Sequence, residues 1–169
     1  MAPKTTGTRP MSDKVRAALF TIIGEVDGAI VLDAYAGSGA VGFEALSRGA
    51  ARVVAVESTR TAGVAIKANQ KALGLTWGYE LYQTTVEAWL ARWTTRAAEM
   101  PAFDLIVADP PYDRLRPDVL GKLGSLLAPA DGILVVSHGS RLEPPKLARL
   151  ALINSKTYGD SALSFYKPA

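Results

Sequence analysis

The sequence predicts an α/β fold, a mostly parallel sheet covered by helices on both faces. Three observations carry that reading. Short apolar runs alternate with segments of helical periodicity along most of the chain. The first run turns through Gly37, Gly39 and Gly42 directly into a helical segment. The fourth run ends on Asp109-Pro110-Pro111-Tyr112, so two chemically distinctive turns stand at strand ends. With 169 residues, 49% of them hydrophobic, the chain is long enough for one well-cored domain and too short for two ordinary ones. Residues 1–11 read as a flexible basic N-terminal segment and 12–169 as a single domain.

Each element has its own local cause. Ser12 is a good N-cap, and Val15, Ala18, Leu19, Ile22 and Ile23 recur at helical spacing until Gly24 closes the segment. Residues 29–32 form a short apolar strand, the glycine turn follows, and 40–47 read as the first crossover helix, ended at Gly49. Residues 52–56 form a strand ending at Glu57, and 59–73 a helix ended at Gly74. A third strand is expected over 79–83. Val86, Trp89, Leu90, Trp93 and Ala97 mark the next helix, with the two tryptophans one turn apart on its core face.

Residues 103–108 form the fourth strand, 119–127 a helix and 133–137 the fifth strand, followed by a loop carrying His138. After Pro144-Pro145 the rhythm changes. Residues 147–150 read as one helical turn, while 152–157 and 162–166 flank Tyr158-Gly159-Asp160-Ser161 as a hairpin, giving the sheet an antiparallel C-terminal strand. Right-handed crossovers then place successive helices against the parallel part of the sheet.

Composition removes several function classes. Cysteine is absent, which excludes disulfides and thiolate metal sites, and a single histidine cannot make a histidine cluster, so no metal is expected. The N-terminus lacks the apolar core of a signal peptide and no apolar run approaches the ~18 residues that span a bilayer, so a cytoplasmic location is expected. Net charge is only +3, but the sequence pI near 9.2 and the cluster of Lys4, Arg9, Lys14 and Arg16 permit a polyanionic partner.

Gly37, Gly39 and Gly42 satisfy G-x-G-x-x-G, with Glu57 about twenty residues on, where it could accept hydrogen bonds from both ribose hydroxyls of an adenosine. The same glycines could instead serve only close packing in a strand-to-helix turn. Asp33 discriminates among adenosine cofactors. A carboxylate beside the turn repels a pyrophosphate but tolerates the cationic ammonium and sulfonium of S-adenosylmethionine, so this cofactor is favoured over NAD. The structural alternative for Asp33 is a carboxylate that caps a helix or forms the turn; for Glu57 it is a solvated acid at a strand end.

Asp109-Pro110-Pro111-Tyr112 suits a planar amine. An exocyclic nucleobase amine is a poor nucleophile because its lone pair is delocalised into the ring. Two acceptors aimed at its hydrogens, the Asp109 carboxylate and the Pro110 carbonyl, favour a pyramidal nitrogen whose lone pair faces a methyl donor. Pro111 restricts the backbone of Pro110 and carries no competing N–H. Tyr112 can stack on the base, and stacking of roughly 1 to 3 kcal/mol is comparable to the few kcal/mol needed to extrude one.

Thr8-Arg9-Pro10, the helix with Val15-Arg16 and Leu19-Phe20, Leu32-Asp33 through Glu44-Ala45-Leu46-Ser47-Arg48-Gly49-Ala50, Asp109-Pro110-Pro111-Tyr112 and Tyr158-Gly159-Asp160-Ser161 together make the chain resemble the bacterial 16S ribosomal RNA guanine-N2 methyltransferases. The resemblance implies a Rossmann-like class I methyltransferase fold with a mostly parallel seven-stranded sheet. It also implies S-adenosylmethionine as donor and a guanine of 16S RNA in the small subunit as acceptor; a monomer is expected. On that basis Asp33, Tyr35, Ala36, Gly37, Gly39 and Glu57 would bind the cofactor, and Asp109, Pro110, Pro111 and Tyr112 would hold the guanine. The same tetrapeptide could hold the N6 amine of adenine, and a catalytically silent RNA-binding module could keep the same fold. The chain departs from the family in two places: only Met1 to Thr8 precede the Arg-Pro element, and Thr84-Thr85-Val86 stands where relatives tend to carry an acid after the third strand.

Arg9, Arg114 and Arg116 are candidates to grip RNA phosphates beside the cleft, with solvated surface charge as the competing reading. Asn69 reads as a helix-surface residue.

Overall fold

The computed structural model describes residues 10–169; Lys4, Arg9 and the rest of the expected basic segment up to position 9 lie outside the described residues. The chain runs α1 (Asp13–Ile23), β1 (Ile30–Ala34), α2 (Ala40–Ser47), β2 (Arg52–Val56), α3 (Arg60–Ala72), β3 (Tyr79–Tyr82), α4 (Val86–Thr94), β4 (Leu105–Ala108), α5 (Pro117–Gly124), β5 (Ile133–Gly139), β6 (Leu150–Tyr158) and β7 (Ser161–Pro168). A 3-10 turn, Tyr112–Arg114, separates β4 from α5.

The strands form a seven-stranded sheet in the order β3-β2-β1-β4-β5-β7-β6. β1 to β5 are parallel, and β7 is antiparallel to both β5 and β6. This is the Rossmann-like class I arrangement. The expected antiparallel strand is present and is inserted between β5 and β6, leaving β6 at the edge.

Alternation along the strands divides the core in two. Val31, Val53, Ala55, Leu105, Val107 and Val135 pack with Leu19 and Phe20 of α1, Ala45 of α2 and Ile66 of α3. Leu32, Val54, Val56, Ile106 and Val136 pack on the other face with Trp89 and Trp93 of α4 and Leu120 and Leu123 of α5. The tryptophans belong to the core as expected: their rings stack at 4.6 Å, and Trp93 lies 5.5 Å from Phe103.

Local chemistry sets the boundaries. Ser12 caps α1 by accepting the Val15 N–H at 3.2 Å, and Thr85 caps α4 by accepting that of Ala88 at 3.1 Å. α4 stops at Thr94, short of Ala97, where the Thr94 and Thr95 hydroxyls bond back to the carbonyls of Leu90 and Arg92. α5 starts earlier than expected because Pro117 occupies its first turn, and it stops at Gly124. β4 begins at Leu105, since Phe103 makes an isolated parallel bridge to Leu127.

Two expectations are corrected. Residues 147–150 form no helical turn; Leu147 is buried, Arg149 takes φ 62°, and Leu150 begins β6. His138 is no loop residue: it lies in β5, 1% exposed, with Nδ1 2.9 Å from the Gly139 carbonyl and Nε2 2.7 Å from Ser164 Oγ. Its ring thus joins β5 to β7 on the face away from Ser137.

Candidate active site

Strand order reverses between β1 and β4, which are neighbours although three helices and two strands separate them in sequence. Ligands of open parallel sheets bind at such a point, outside the carboxyl ends of the strands. Ala34 pairs with both Val56 and Ala108, and Ala108 with Val136. The segments leaving β1, β2, β4 and β5 therefore reach the same rim. Asp33, Glu57, Asp109 and Ser137 continue the alternation that turns toward α1, α2 and α3. Gly37 and Tyr112 thus both follow strands that end on this rim.

The glycine turn is built from its backbone upward. Tyr35, Gly37 and Gly39 all have positive φ, at 61°, 56° and 82°. A Cβ on Gly37 would meet nothing within 4 Å, so its bare Cα faces open space. Gly39 and Gly42 are different. A Cβ on Gly39 would lie 2.7 Å from the Tyr79 hydroxyl and 2.8 Å from Phe43, and one on Gly42 2.8 Å from both Tyr79 and Val53. These two glycines let α2 settle against Tyr79, whose ring stacks on Phe43 at 4.6 Å.

Two carboxylates hold the turn from below. Asp33 Oδ2 accepts the N–H of Gly42 at 3.2 Å; Glu57 accepts that of Gly37 through Oε2 at 2.7 Å and that of Thr59 through Oε1 at 3.0 Å. Gly39, the N-cap residue of α2, has no side chain to cap with, and Asp33 supplies the acceptor from the adjoining strand. The turn-forming alternative for Asp33 is therefore what its carboxylate does here. Burial drives its pKa well above the ordinary carboxylate value, the Gly42 bond opposes this, and the charges of Asp109 and Glu57 add to the rise.

Tyr35 and Ala36 complete the first half of the turn. Ala36 donates its N–H to the Val56 carbonyl at 2.9 Å. The Tyr35 hydroxyl is pushed up to about 12, first by burial and then by Glu87.

Asp109 is half-buried beside Ser137; loss of water around its carboxyl outweighs the opposing effect of the nearby Ser137 hydroxyl and pushes the acid up to about 6. Pro111 carries the chain into the 3-10 turn, and the Arg114 N–H returns to the Pro111 carbonyl at 2.9 Å. The Tyr112 hydroxyl lies 3.1 Å from Ser137 Oγ and donates to Ser161 Oγ at 3.0 Å. Its ring lies against Gly139, where a Cβ would come within 3.7 Å. Its hydroxyl is held at both strands while the residue stays 37% exposed.

The arginine candidates separate. Arg116 pairs with Asp118 at 2.8 Å and Glu87 at 3.8 Å. Arg114 is exposed and makes no ion pair among the described residues. Arg9 lies outside the described residues.

Ser137 and Ser161 escaped sequence reasoning because isolated serines carry no spacing signal. Asn69 has a role beyond the helix surface, since its Nδ2 donates to the Ser38 carbonyl at 3.4 Å from α3. Among the described residues no group of acids and histidines could hold a metal, and no helix is long and apolar enough to cross a membrane.

A family model described as "Conserved hypothetical protein 95" matches residues 1–167. The chain is 34% identical over 166 residues to "Putative rRNA methyltransferase YlbH" of Bacillus subtilis, covering 96% of this chain and 89% of that protein. It is 31% identical over 109 residues to "Ribosomal RNA small subunit methyltransferase D" of Haemophilus influenzae, covering 63% of this chain and 54% of that protein. Among solved structures it superposes on the "Putative methyltransferase yhhF from Escherichia coli" with a TM-score of 0.81 and 27% identity, over 99% of this chain and 91% of that one.

Proposed function

Because the chain belongs to the family described as conserved hypothetical protein 95, we propose that it is an S-adenosylmethionine-dependent methyltransferase acting on the exocyclic N2 amine of a guanine in 16S ribosomal RNA. The observation that supports this reading is the shared rim: Asp33, Glu57 and Asp109 stand at the carboxyl ends of adjacent parallel strands, close enough for the charges of Asp109 and Glu57 to act on Asp33, Glu57 bonds Gly37, and Tyr112 follows Asp109. Three acids at one cleft complement a cationic cofactor and repel a pyrophosphate. The ribosomal RNA substrate is supported by the printed names of the relatives, and the guanine by the family resemblance in Asp109-Pro110-Pro111-Tyr112 and Tyr158-Gly159-Asp160-Ser161.

The residues present fit that cofactor. Gly37 leaves room above the turn, and each Glu57 oxygen, already taking one backbone N–H, keeps a lone pair for a ribose hydroxyl. When bound, S-adenosylmethionine supplies an electrophilic methyl group. Asp109, in its ionised form, accepts one hydrogen of the target amine while the Pro110 carbonyl accepts the other, and Tyr112 stacks on the base to fix its plane. Asp109 then takes the proton the methylated nitrogen loses. Arg114, exposed beside the cleft, is placed for a phosphate of the flanking RNA.

The test is radiolabelled methyl transfer to unmodified small subunits, with nucleosides mapped after digestion and the Asp109→Ala variant as control. N2-methylguanosine made by the wild type and absent with the variant supports the reading. N6-methyladenosine moves the substrate to adenine, and binding of subunits without methyl incorporation replaces the enzyme by a silent RNA-binding module.

A further inference from the structure

Ser137 stands one residue past Val136, as Asp109 stands one past Ala108, and Val136 and Ala108 are register partners on adjacent parallel strands. Ser161 is the register partner of Gly139 on β7. The 3-10 turn brings the Tyr112 hydroxyl between the two serines, 3.1 Å from one and 3.0 Å from the other. Three hydroxyls are thus linked in series, Ser137, 1% exposed, Tyr112, and Ser161, half-buried where β7 begins, and Ser137 stands beside the half-buried Asp109 across β4 and β5.

Each hydroxyl has one proton, so the direction of the line depends on Asp109. An ionised carboxylate can only accept, which makes Ser137 donate to it and leaves the serine oxygen to accept from Tyr112. A protonated Asp109 can donate to Ser137, and every link then reverses, with Ser137 donating to Tyr112 and Tyr112 to Ser161. The two arrangements differ by one proton moved across each link. Of the charged groups facing Asp109, Asp33 comes from β1; β5 contributes Ser137 alone, because His138 turns to the other face and bonds Ser164.

We propose that Ser137, Tyr112 and Ser161 form a hydroxyl relay that carries the proton received by Asp109 out of the cleft, with Ser137 and Ser161 as its positioning residues. The proposal rests on the reading of Asp109 as acceptor at a methylated amine. Methyl transfer forms the nitrogen–carbon bond, breaks the carbon–sulfur bond and leaves a positive nitrogen. Its proton passes to the Asp109 carboxylate, then each group hands its own proton to the next, Ser161 gives one to water, and Asp109 returns to the anion. No other reactant is needed.

The test has one arm without substrate and one with it. In the substrate-free protein, carbon-13 NMR of the Asp109 carboxyl follows its titration. Ser137→Ala should raise the midpoint by about one unit, the scale of one hydrogen bond lost from a charged group. Ser137→Thr, which keeps the hydroxyl, should restore it. In the second arm, with unmodified small subunits, Ser161→Ala should lower kcat several-fold and increase its solvent deuterium isotope effect while leaving KM for S-adenosylmethionine unchanged. A midpoint unmoved in Ser137→Ala, or wild-type kcat in Ser161→Ala, overturns the relay. Failure of the wild type to methylate any subunit overturns the function reading instead, while the NMR arm still reports on the Asp109–Ser137 link.

Discussion

Asp33 Oδ2 accepts the N–H of Gly42 at 3.2 Å, joining the end of β1 to the first turn of α2 across the whole glycine loop. The bond makes the carboxylate an N-cap delivered from another element, at a helix whose own cap position, Gly39, has no side chain.

Asp33→Ala leaves a buried N–H without its acceptor and should cost about 1 to 2 kcal/mol of stability at neutral pH. Asp33→Asn keeps an oxygen and removes the buried charge. The folded pKa of Asp33 is raised, so the wild type loses stability as pH rises above the unfolded value, 3.8. The Asn variant should therefore match or exceed the wild type at pH 7, and its advantage should vanish below pH ~4. Urea denaturation of both variants at the two pH values checks this.

Asp109 titrates near 6 rather than 3.8. The proposed reaction uses its ionised form, so kcat should rise with pH through about 6 and level off above. Stability has the opposite sign: the folded state binds the extra proton between the two values, so it loses about 3 kcal/mol as pH rises through that window. Asp109→Asn should melt higher than the wild type at pH 8, converge with it below pH ~4, and lack activity throughout. A flat rate profile, or a variant no more stable at pH 8, contradicts the assignment.

Gly37 and Gly39 should separate binding from folding. Gly37→Ala adds a methyl group to open space at φ 56°, costing about 1 kcal/mol of strain while obstructing a ligand over the turn. Gly39→Ala drives a Cβ toward Tyr79 and Phe43 and should cost about 2 to 4 kcal/mol. Thermal melts paired with calorimetric titration of S-adenosylmethionine should show lost affinity with a near-native melt for Gly37→Ala, and a low melt for Gly39→Ala.

Glu57→Ala removes the acceptor from Gly37 and Thr59 and, on the proposed reading, the ribose contacts with it. Affinity for S-adenosylmethionine should fall roughly 10- to 100-fold, the scale of one charged hydrogen bond, while NAD binds neither protein. Unchanged affinity in the titration removes Glu57 from the cofactor site.

Much of this was legible before the fold, for reasons that differ by residue. β2 and α2 follow from an uninterrupted apolar run and a helical period bounded by glycines, and they keep the expected bounds. Trp89 and Trp93 declare a core face by spacing alone. The shared rim was implied by the alternation of strands and helices, since parallel strands all end on one side. His138 was misplaced because β5 runs two residues beyond its expected end at Ser137, where His138 and Gly139 look like loop. The polar groups of Ser137 and His138 are matched across β5, β7 and the 3-10 turn, a long-range arrangement that local periodicity does not register. Asn69 is similar: only the path of α3 brings it to Ser38.

The insertion of β7 between β5 and β6 has a consequence for the order in which a nascent chain becomes complete. Once β5 is free to pair, five strands can already zip together, yet until residues 161–168 follow, the outer flank of Leu134, Val135 and Val136 lacks its neighbour. That flank is a sticky margin during translation. Ser161 arrives with the same late strand, so the anchor of Tyr112 is among the last contacts made, and the polypeptide can bury its interior before its cleft is ready for work.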